Sequence, residues 1–326
     1  MHRSRRYSLA AGLLAACLAA PAMAQTATPP PAGPSLRICA GTERGNYTFT
    51  ANEIAKRIGR EQFPGGVTVI RTGGSLDNLR RLETAECDVA IAQSDVTAMY
   101  QTERANTLNG IVPFAKLYVE STHILCPVAS GWESVSDMGK AAAAGRRARL
   151  IVGPDGGGSA ETWRGLRAAD AKLYDRIERL PDDPGRASLG MVRDSRDTSM
   201  LWVSGLGSED MVRANDMSVI NAAKRPSMRL MDVNIAISGL RTPRGEPMYE
   251  ARQIERAEPS RDNPGLYPNL IHDGWGADTI NVLSVDALLM MRAEYRSAIG
   301  SSRADSLMQA IDDASPTIWA RTQPRR

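Results

Sequence analysis

From Leu36 onward, short apolar runs alternate with segments whose apolar residues recur at helical spacing. Runs of four to eight apolar residues predict buried strands, and the amphipathic segments predict helices packed on them. In chain order the pattern predicts strand Leu36–Ala40, helix Thr48–Arg60, strand Val67–Arg71, helix Leu76–Thr84 and strand Asp88–Ala92. This βαβαβ order is typical of an α/β protein with a parallel sheet.

A second alternation of the same kind follows. Its predicted elements are strand Leu117–Val128, strand Leu150–Val152, helix Ser159–Ala171, strand Ser199–Val203, helix Ser208–Asp216, a strand with a transition into helix over Thr279–Arg292, and a terminal helix Ser301–Ile311. Two lobes joined by crossing strands account for this order. We place the crossings near Ile124–Val128 and Ile280–Val285, and ligand sites favour such interfaces.

Three strand-to-helix junctions are rich in glycine: Ile38–Tyr47, Thr72–Asn78 and Gly153–Glu161. Junctions of this type gather at the carboxyl ends of parallel strands. Backbone N–H groups and helix N-termini there can hold an anion. The pattern therefore predicts a binding site for a small acidic molecule.

The N-terminus has the features of an export signal. Three arginines precede an apolar run, Leu9–Ala20, and the small residues of Ala22-Met-Ala24 offer a cleavage site. The run is shorter than the roughly 20 residues of a membrane span, so we expect an exported, periplasmic protein. A competing interpretation takes Leu14–Cys17 as a lipoprotein box, which would leave a lipid anchor on Cys17.

Charge and cysteine content further narrow the functional classes to which the protein could belong. The predicted signal holds three arginines and no acid, so the rest of the chain has 37 Lys and Arg residues against 37 Asp and Glu residues. This balance argues against a nucleic-acid partner. The spacing of Cys39, Cys87 and Cys126 matches no metal site. If Cys39 ends one parallel strand and Cys87 begins another, the two lie too far apart for a disulfide, so buried thiols are expected.

Five elements in the same order resemble the TAXI family of extracytoplasmic solute receptors, which serve TRAP transporters. They are Gly41-Thr-Glu-Arg-Gly-Asn-Tyr47, Gly73-Gly-Ser-Leu-Asp-Asn-Leu79, Glu86-Cys-Asp-Val-Ala-Ile-Ala-Gln-Ser-Asp95, Leu117-Tyr-Val-Glu120 and Gly157-Gly-Ser-Ala-Glu161. The resemblance is strongest over Leu36–Leu166 and thins beyond Asp170.

The resemblance implies a two-lobed, periplasmic-binding-protein-like (type II) α/β fold, each lobe a mostly parallel sheet flanked by helices. It implies a receptor that binds a small organic anion, such as a glutamate- or 2-oxoglutarate-like carboxylate, and delivers it to a TRAP-type membrane permease. The predicted organisation is a signal peptide at 1–24, a flexible leader at 25–34, the first lobe at 35–126, the second lobe at 127–279, and a return to the first lobe with a C-terminal helix at 280–326.

Polar residues at the predicted strand ends are the candidate ligand contacts. They are Thr42, Arg44, Asn46, Tyr47, Gly74, Ser75, Gln93, Ser94, Gly158, Ser159, Trp202 and Ser204. Glu43 and Arg44 depart from the family pattern, in which this loop is commonly small and glycine-rich. Arg44 either clamps a ligand carboxylate or lies in solvent paired with Glu43. Ser75 and Ser159 would also serve as helix caps, and Trp202 as a core residue.

An enzyme is not expected. His123 and His272 lie in no nucleophile, zinc or dyad motif, and Trp202–Gly207 lacks the glycine that a nucleophile elbow carries before its serine. Gly156–Gly158 has neither the lysine nor the spacing of a nucleotide-binding loop. The sequence implies no cofactor and no metal. Two other functions stay open: a ligand-sensing module of a membrane sensor, and a degenerate periplasmic interaction protein without a ligand.

Overall fold

The computed structural model of the protein describes residues 33–104, 110–182, 184–219, 226–255, 266, 267, 269, 270 and 279–323. The predicted signal peptide, the possible lipidation site Cys17, the leader up to residue 32 and His272 lie outside the described residues. Among the described residues, no helix is both long and apolar enough to cross a membrane.

The predicted βαβαβ unit is confirmed. Its elements are β1 Leu36–Cys39, α1 Asn46–Ala55, β2 Val67–Ile70, α2 Ser75–Glu83 and β3 Val89–Gln93, followed directly by α3 Ser94–Glu103. The helix α2 follows from its apolar spacing, because Leu76, Leu79 and Leu82 recur every three residues and are all buried.

The long strand β4, Ile111–Pro127, opens the second part of the fold. The elements that follow are α4 Val135–Ala143, β5 Arg149–Ile151, α5 Gly158–Ala169, α6 Ala171–Tyr174, β6 Glu178–Leu180, α7 Arg186–Arg193, β7 Thr198–Ser204, α8 Glu209–Met217, β8 Met228–Leu230, β9 Glu250–Glu255, β10 Thr279–Arg292, α9 Ala293–Ala298 and α10 Ser301–Thr322. A capping box starts α4, since Ser134 and Asp137 accept each other's backbone N–H groups.

The described strands form one ten-stranded sheet in the order β2-β1-β3-β10-β4-β7-β5-β6, with β8 beside β4 and β9 beside β10. The triplet β1, β2, β3 is parallel, and so is β5, β6, β7. Between them, β4 and β10 are antiparallel to each other, β10 is antiparallel to its neighbour β3 in the first triplet, and β4 is antiparallel to its neighbour β7 in the second. Each of these two strands therefore belongs to both halves of the molecule. This is the two-lobed, type II α/β fold that the resemblance implied.

Each half of the sheet is covered on both faces. In the first half, side chains of β1, β3 and β10 alternate between a cluster under α1 and α10 and a cluster under α2 and α3. In the second half, β4, β5 and β7 alternate between a cluster under α4 and α5 and another under α7 and α8. Burial on both faces accounts for the continuous apolar runs of these strands. The boundaries proposed for the two lobes stay a prediction.

Several predicted bounds need correction. Helix α1 ends at Ala55, short of Arg60, and the terminal helix extends past Ile311 to Thr322. The extension through Pro316 is explained by apolar residues at helical spacing, since Leu307, Ile311 and Ile318 are buried against the first lobe.

The expectation of free thiols at Cys39 and Cys87 is wrong. These residues form a disulfide, with a Cα–Cα distance of 5.8 Å, inside the range that a bridge allows. The error came from the assumed separation of the ends of two strands. Strand β1 has only four residues, and β3 lies directly beside it, so the last residue of β1 stays close to Cys87, two residues before β3 begins. Cys126 is a buried free thiol, as expected.

Candidate functional site

A cavity of about 260 Å³ lies where the glycine loops of the two lobes meet. Its walls include the loops that follow β1, β2 and β5 and the last residues of β7, all at the carboxyl ends of their strands. Sites of drug-sized ligands usually span roughly 300–1,000 Å³. The cavity therefore fits a small metabolite.

Nine of the twelve predicted contact residues line this cavity: Thr42, Asn46, Tyr47, Gly74, Gln93, Gly158, Ser159, Trp202 and Ser204. Their contact with a ligand stays a prediction. Some of these side chains already have protein partners, since Ser159 Oγ accepts the backbone N–H of Val203 at 3.1 Å. Trp202 is half-buried and also packs against an apolar cluster of the second lobe.

Arg44, Ser75 and Ser94 are not among the lining residues. Arg44 is exposed, and its neighbour Glu43 forms an exposed ion pair with Arg71 at 3.1 Å. Ser75 is fully buried behind the cavity wall, where its hydroxyl lies 3.3 Å from Gln93 Oε1. Ser94 Oγ accepts the backbone N–H of Asp286 at 3.0 Å. Both serines thus act within the protein framework.

The structure adds lining residues that the sequence did not single out as contacts. The main ones are Glu120 on β4, Asp210 on α8, Gly153, Pro154 and Pro184. A signal for Glu120 was present, since it is the one acidic residue within the predicted strand Leu117–Val128. Asp210 gives no comparable signal, because an acid in the first turn of a helix is common for reasons of helix stability alone.

Three helices begin at the cavity wall. Their N-cap residues are Gly45 for α1, Gly74 for α2 and Gly157 for α5, and none has a side-chain cap. The first N–H groups of a helix have no partner within the helix, and the helix dipole gives this end a partial positive charge. Three such ends at one cavity create a site suited to a negative group.

The glycines at this wall are required by close approach of the two lobes. Gly74 has a φ of 119°, and a Cβ placed on it would lie 3.3 Å from the Cα of Gly157. Leu76 N donates across the gap to Gly156 O at 3.1 Å. A Cβ on Gly158 would overlap the side-chain amide of Gln93. Side chains at these positions would hold the lobes apart.

Polar side chains join the lobes on two sides of the cavity. At one side, Asn46 Nδ2 donates to Ser204 Oγ at 3.2 Å, and Arg321 of α10 donates to Asn46 Oδ1 at 3.3 Å. Below the cavity, Gln93 Nε2 donates to Thr162 Oγ1 at 3.3 Å, and Thr162 donates to Asp95 at 2.6 Å. The structure therefore has the two lobes in direct contact around the cavity.

The titratable side chains of the described wall residues are carboxyl groups and one phenol. Among the described residues, those lining the cavity include Glu120 and Asp210 but no Lys, Arg or His. Burial raises the pKa of Glu120 to about 8, partly offset by the hydrogen bond from Tyr47. Desolvation also raises the pKa of Asp210. Any anion held here is met by dipoles and neutral donors in place of a basic side chain.

The described residues contain no group of three or more His, Cys, Asp or Glu side chains placed to hold a metal ion. The buried His123 lies on β4, where desolvation lowers the pKa of its imidazole to about 4. Its Nε2 lies 3.5 Å from the hydroxyl of Tyr267.

Comparison with known proteins finds a family model that matches part of the chain. Residues 38–193 match the NMT1-like family model. The match runs from β1 to the end of α7 and covers slightly less than half of the chain, including the glycine loops that follow β1, β2 and β5. No curated protein matches the chain.

Solved structures resemble the chain at low identity. One is MatC from Rhodopseudomonas palustris with bound malate, 11% identical, with 88% of each chain covered and a TM-score of 0.49. Another is the GluR0 ligand-binding core in complex with L-glutamate, 11% identical, with 89% of this chain and 97% of that chain covered and a TM-score of 0.48. The alkanesulfonate-binding protein SsuA from Xanthomonas axonopodis pv. citri, bound to MOPS, is 16% identical, with 86% and 72% covered and a TM-score of 0.43.

Proposed function

We propose that the protein is an extracytoplasmic solute receptor that binds a small organic anion in the cleft between its lobes. The observation that carries this proposal is the meeting of three helix N-termini without side-chain caps, those of α1, α2 and α5, at one small cavity. A carboxylate such as that of a glutamate- or 2-oxoglutarate-like compound suits this arrangement, because backbone N–H groups and the positive ends of helices bind oxyanions.

Reversible capture follows from how the site is divided. Thr42, Asn46 and Tyr47 come from the first lobe, while Gly158, Ser159 and Ser204 come from the second. A ligand that touches both sets stabilises the closed form by its higher affinity for that form. No basic side chain is found among the described lining residues. Opening of the lobes removes the donors of one lobe from the anion, which is then released.

The partner and the compartment belong to the same proposal. The five sequence elements that resemble the TAXI family support delivery of the ligand to a TRAP-type permease, after export to the periplasm under the N-terminal signal. Uptake of the labelled ligand by membrane vesicles that hold a TRAP-type permease, with and without the added protein, tests this step. If uptake is the same with and without the protein, a membrane sensor becomes the partner to test.

Binding is tested with the mature protein, unfolded and refolded to remove any carried ligand. A thermal-shift screen against amino acids, 2-oxo acids, dicarboxylates and inorganic oxyanions should show one class that raises the melting temperature by several degrees, since a ligand of the native state stabilises it by mass action. Titration calorimetry then gives the affinity. No shift from any anion, with protein shown to be folded, would refute the proposed function.

A further inference from the structure

Glu120 is an acidic side chain in an unusual place. It lies on β4, at the point where pairing of this strand passes from β10 to β7, and only 4% of the residue is exposed. It nevertheless lines the cavity. Carboxyl groups are almost never buried to this degree without a compensating partner.

One oxygen of this carboxyl group has a defined partner. Tyr47 Oη, on α1, donates to Glu120 Oε2 at 2.9 Å. The same hydroxyl lies 3.5 Å from Ser75 Oγ on α2. Tyr47 and Glu120 are both lining residues, so the pair forms one continuous part of the cavity wall.

The other groups around Glu120 do not neutralise an ionised carboxylate. Within the part of the chain that the structure describes, Glu120 forms no ion pair with Lys, Arg or His. From α3, the buried Asp95 adds a like charge, and Tyr118 of β4 is a buried phenol. The remaining acid of the wall, Asp210 on α8, has its own cation in Arg213 at 3.5 Å.

We propose that Glu120 meets the ligand as a neutral carboxyl group, with Oε2 accepting from Tyr47 and the other oxygen donating its proton to a ligand carboxylate. This inference rests on the proposed function, because it assumes an anionic ligand. An ionised Glu120 would repel such a ligand in a buried site, whereas the protonated form adds a donor to those of the helix N-termini.

The protonation state agrees with the surroundings. Burial, together with the charge of Asp95, raises the pKa of Glu120 to about 8, while the hydrogen bond from Tyr47 acts in the opposite direction. At neutral pH the group is therefore mostly protonated before any ligand arrives. Binding then needs no proton at pH 7, and above pH 8 it takes up one.

An ammonium-bearing ligand would make the opposite use of Glu120. It would bind the ionised carboxylate, so binding near neutral pH would release a proton and the affinity would rise with pH. A ligand without an amine separates the two cases. The probe is 2-oxoglutarate, whose carboxylates stay ionised throughout the range tested.

The test is calorimetric titration of 2-oxoglutarate between pH 6.5 and pH 9.5, in buffers that differ in ionisation enthalpy. From a free-state pKa of about 8, the affinity of the unaltered protein should fall roughly 30-fold between pH 7 and pH 9.5. Near pH 9 each binding event should take up about one proton. Glu120→Gln, whose amide also donates, should bind at pH 7 and lose the pH dependence.

Asp286→Asn is the matched control. Asp286 is an acid on β10 that pairs with Lys116 outside the cavity at 2.7 Å, so its removal should leave the pH profile unchanged. If Glu120→Gln does not fold, Tyr47→Phe serves in its place. Loss of the Tyr47 hydroxyl removes a bond that lowers the pKa of Glu120, so the fall in affinity should move to higher pH.

The outcomes separate this inference from the proposed function. Binding that is independent of pH, or that strengthens with pH and is lost in Glu120→Gln, overturns the inference and leaves the receptor in place. If neither 2-oxoglutarate nor any other anion of the screen binds the folded protein at any pH, the proposed function fails and the inference falls with it.

Discussion

Arg44 and Asn46 are two residues apart, yet they lie in different surroundings. Arg44 is an exposed loop residue. Asn46 lines the cavity and joins α1 to both Ser204 and Arg321. Position along this strand-to-helix junction, and not charge, places Asn46 at the cavity and Arg44 in solvent.

Arg44→Ala should therefore change the free energy of ligand binding by less than about 0.5 kcal/mol, the usual effect of a surface substitution. Calorimetric titration with the carboxylate found in the screen measures this. A tenfold or greater loss of affinity would show that Arg44 reaches the bound ligand as a clamp.

Asn46→Ala should weaken binding by about 0.5–1.5 kcal/mol, because the hydrogen bond between the lobes and the acceptor for Arg321 are both lost. The exposed Asn52, on the same helix, provides the control. Asn52→Ala should leave the affinity unchanged. Equal affinities for the two variants would argue against a role of Asn46 in closure.

The raised pKa of Glu120 also predicts how the stability of the protein depends on pH. Its pKa is about 8 in the folded protein, against 4.5 as the ordinary value, so the folded state binds more protons than the unfolded state between these pH values. Glu120 therefore destabilises the protein increasingly as the pH rises from 4.5 to 8. The free energy of unfolding of Glu120→Gln, relative to the unaltered protein, should rise by roughly 2 kcal/mol between pH 5 and pH 7. Urea denaturation of both proteins measures this, and a constant difference would place the pKa of Glu120 near its ordinary value.

At the scale of elements, the site depends on glycine at the starts of helices. Gly158→Ala should lower ligand affinity at least tenfold, because the added methyl group meets the Gln93 amide and separates α5 from the first lobe. Gly190, inside α7, has open space around its Cβ position. Gly190→Ala should keep full affinity and gain about 0.5–1 kcal/mol of stability. Binding by Gly158→Ala at the affinity of the unaltered protein would show that the observed closeness of the lobes is not needed.

The elements also show which features a sequence reveals. The glycine loops were found because glycine between a strand and a helix has a local physical reason, and the loops after β1, β2 and β5 do line the cavity. Ser75 looked equally suited to a ligand, but tertiary packing buries it behind Gln93. The pairing of Glu120 with Tyr47 joins residues 73 positions apart. No local pattern carries that information.

The same limit explains the missed disulfide. The apolar pattern predicts that Cys39 ends one strand and Cys87 begins another. The distance between the two cysteines, however, depends on the register in which β1 and β3 pair. That register places Cys39 opposite Ala90. It is set by packing of α1 and α2 on the two faces of the sheet, which is a property of the assembled lobe.

At the scale of the whole molecule, this disulfide closes a loop with a sequence separation of 48 residues. For a loop of that length the chain-entropy account gives a stabilisation of about 4 kcal/mol. The double variant Cys39→Ser/Cys87→Ser should lose most of it, and reductant should have the same effect on the unaltered protein. Urea denaturation with and without reductant measures both. Cys126→Ala leaves the bridge intact, so reductant should still lower the free energy of unfolding of this control variant. If reductant does not lower the stability of the unaltered protein, the bridge is contradicted.

The strands shared by the lobes determine when the first lobe can be completed during synthesis. Strand β3 has β1 on one side and β10 on the other, and β10 comes from the far end of the chain. A growing polypeptide therefore keeps an unpaired edge on β3 until nearly all of it has been made. Contacts of such long sequence separation form late and slowly. The lobe that is translated first is thus completed last.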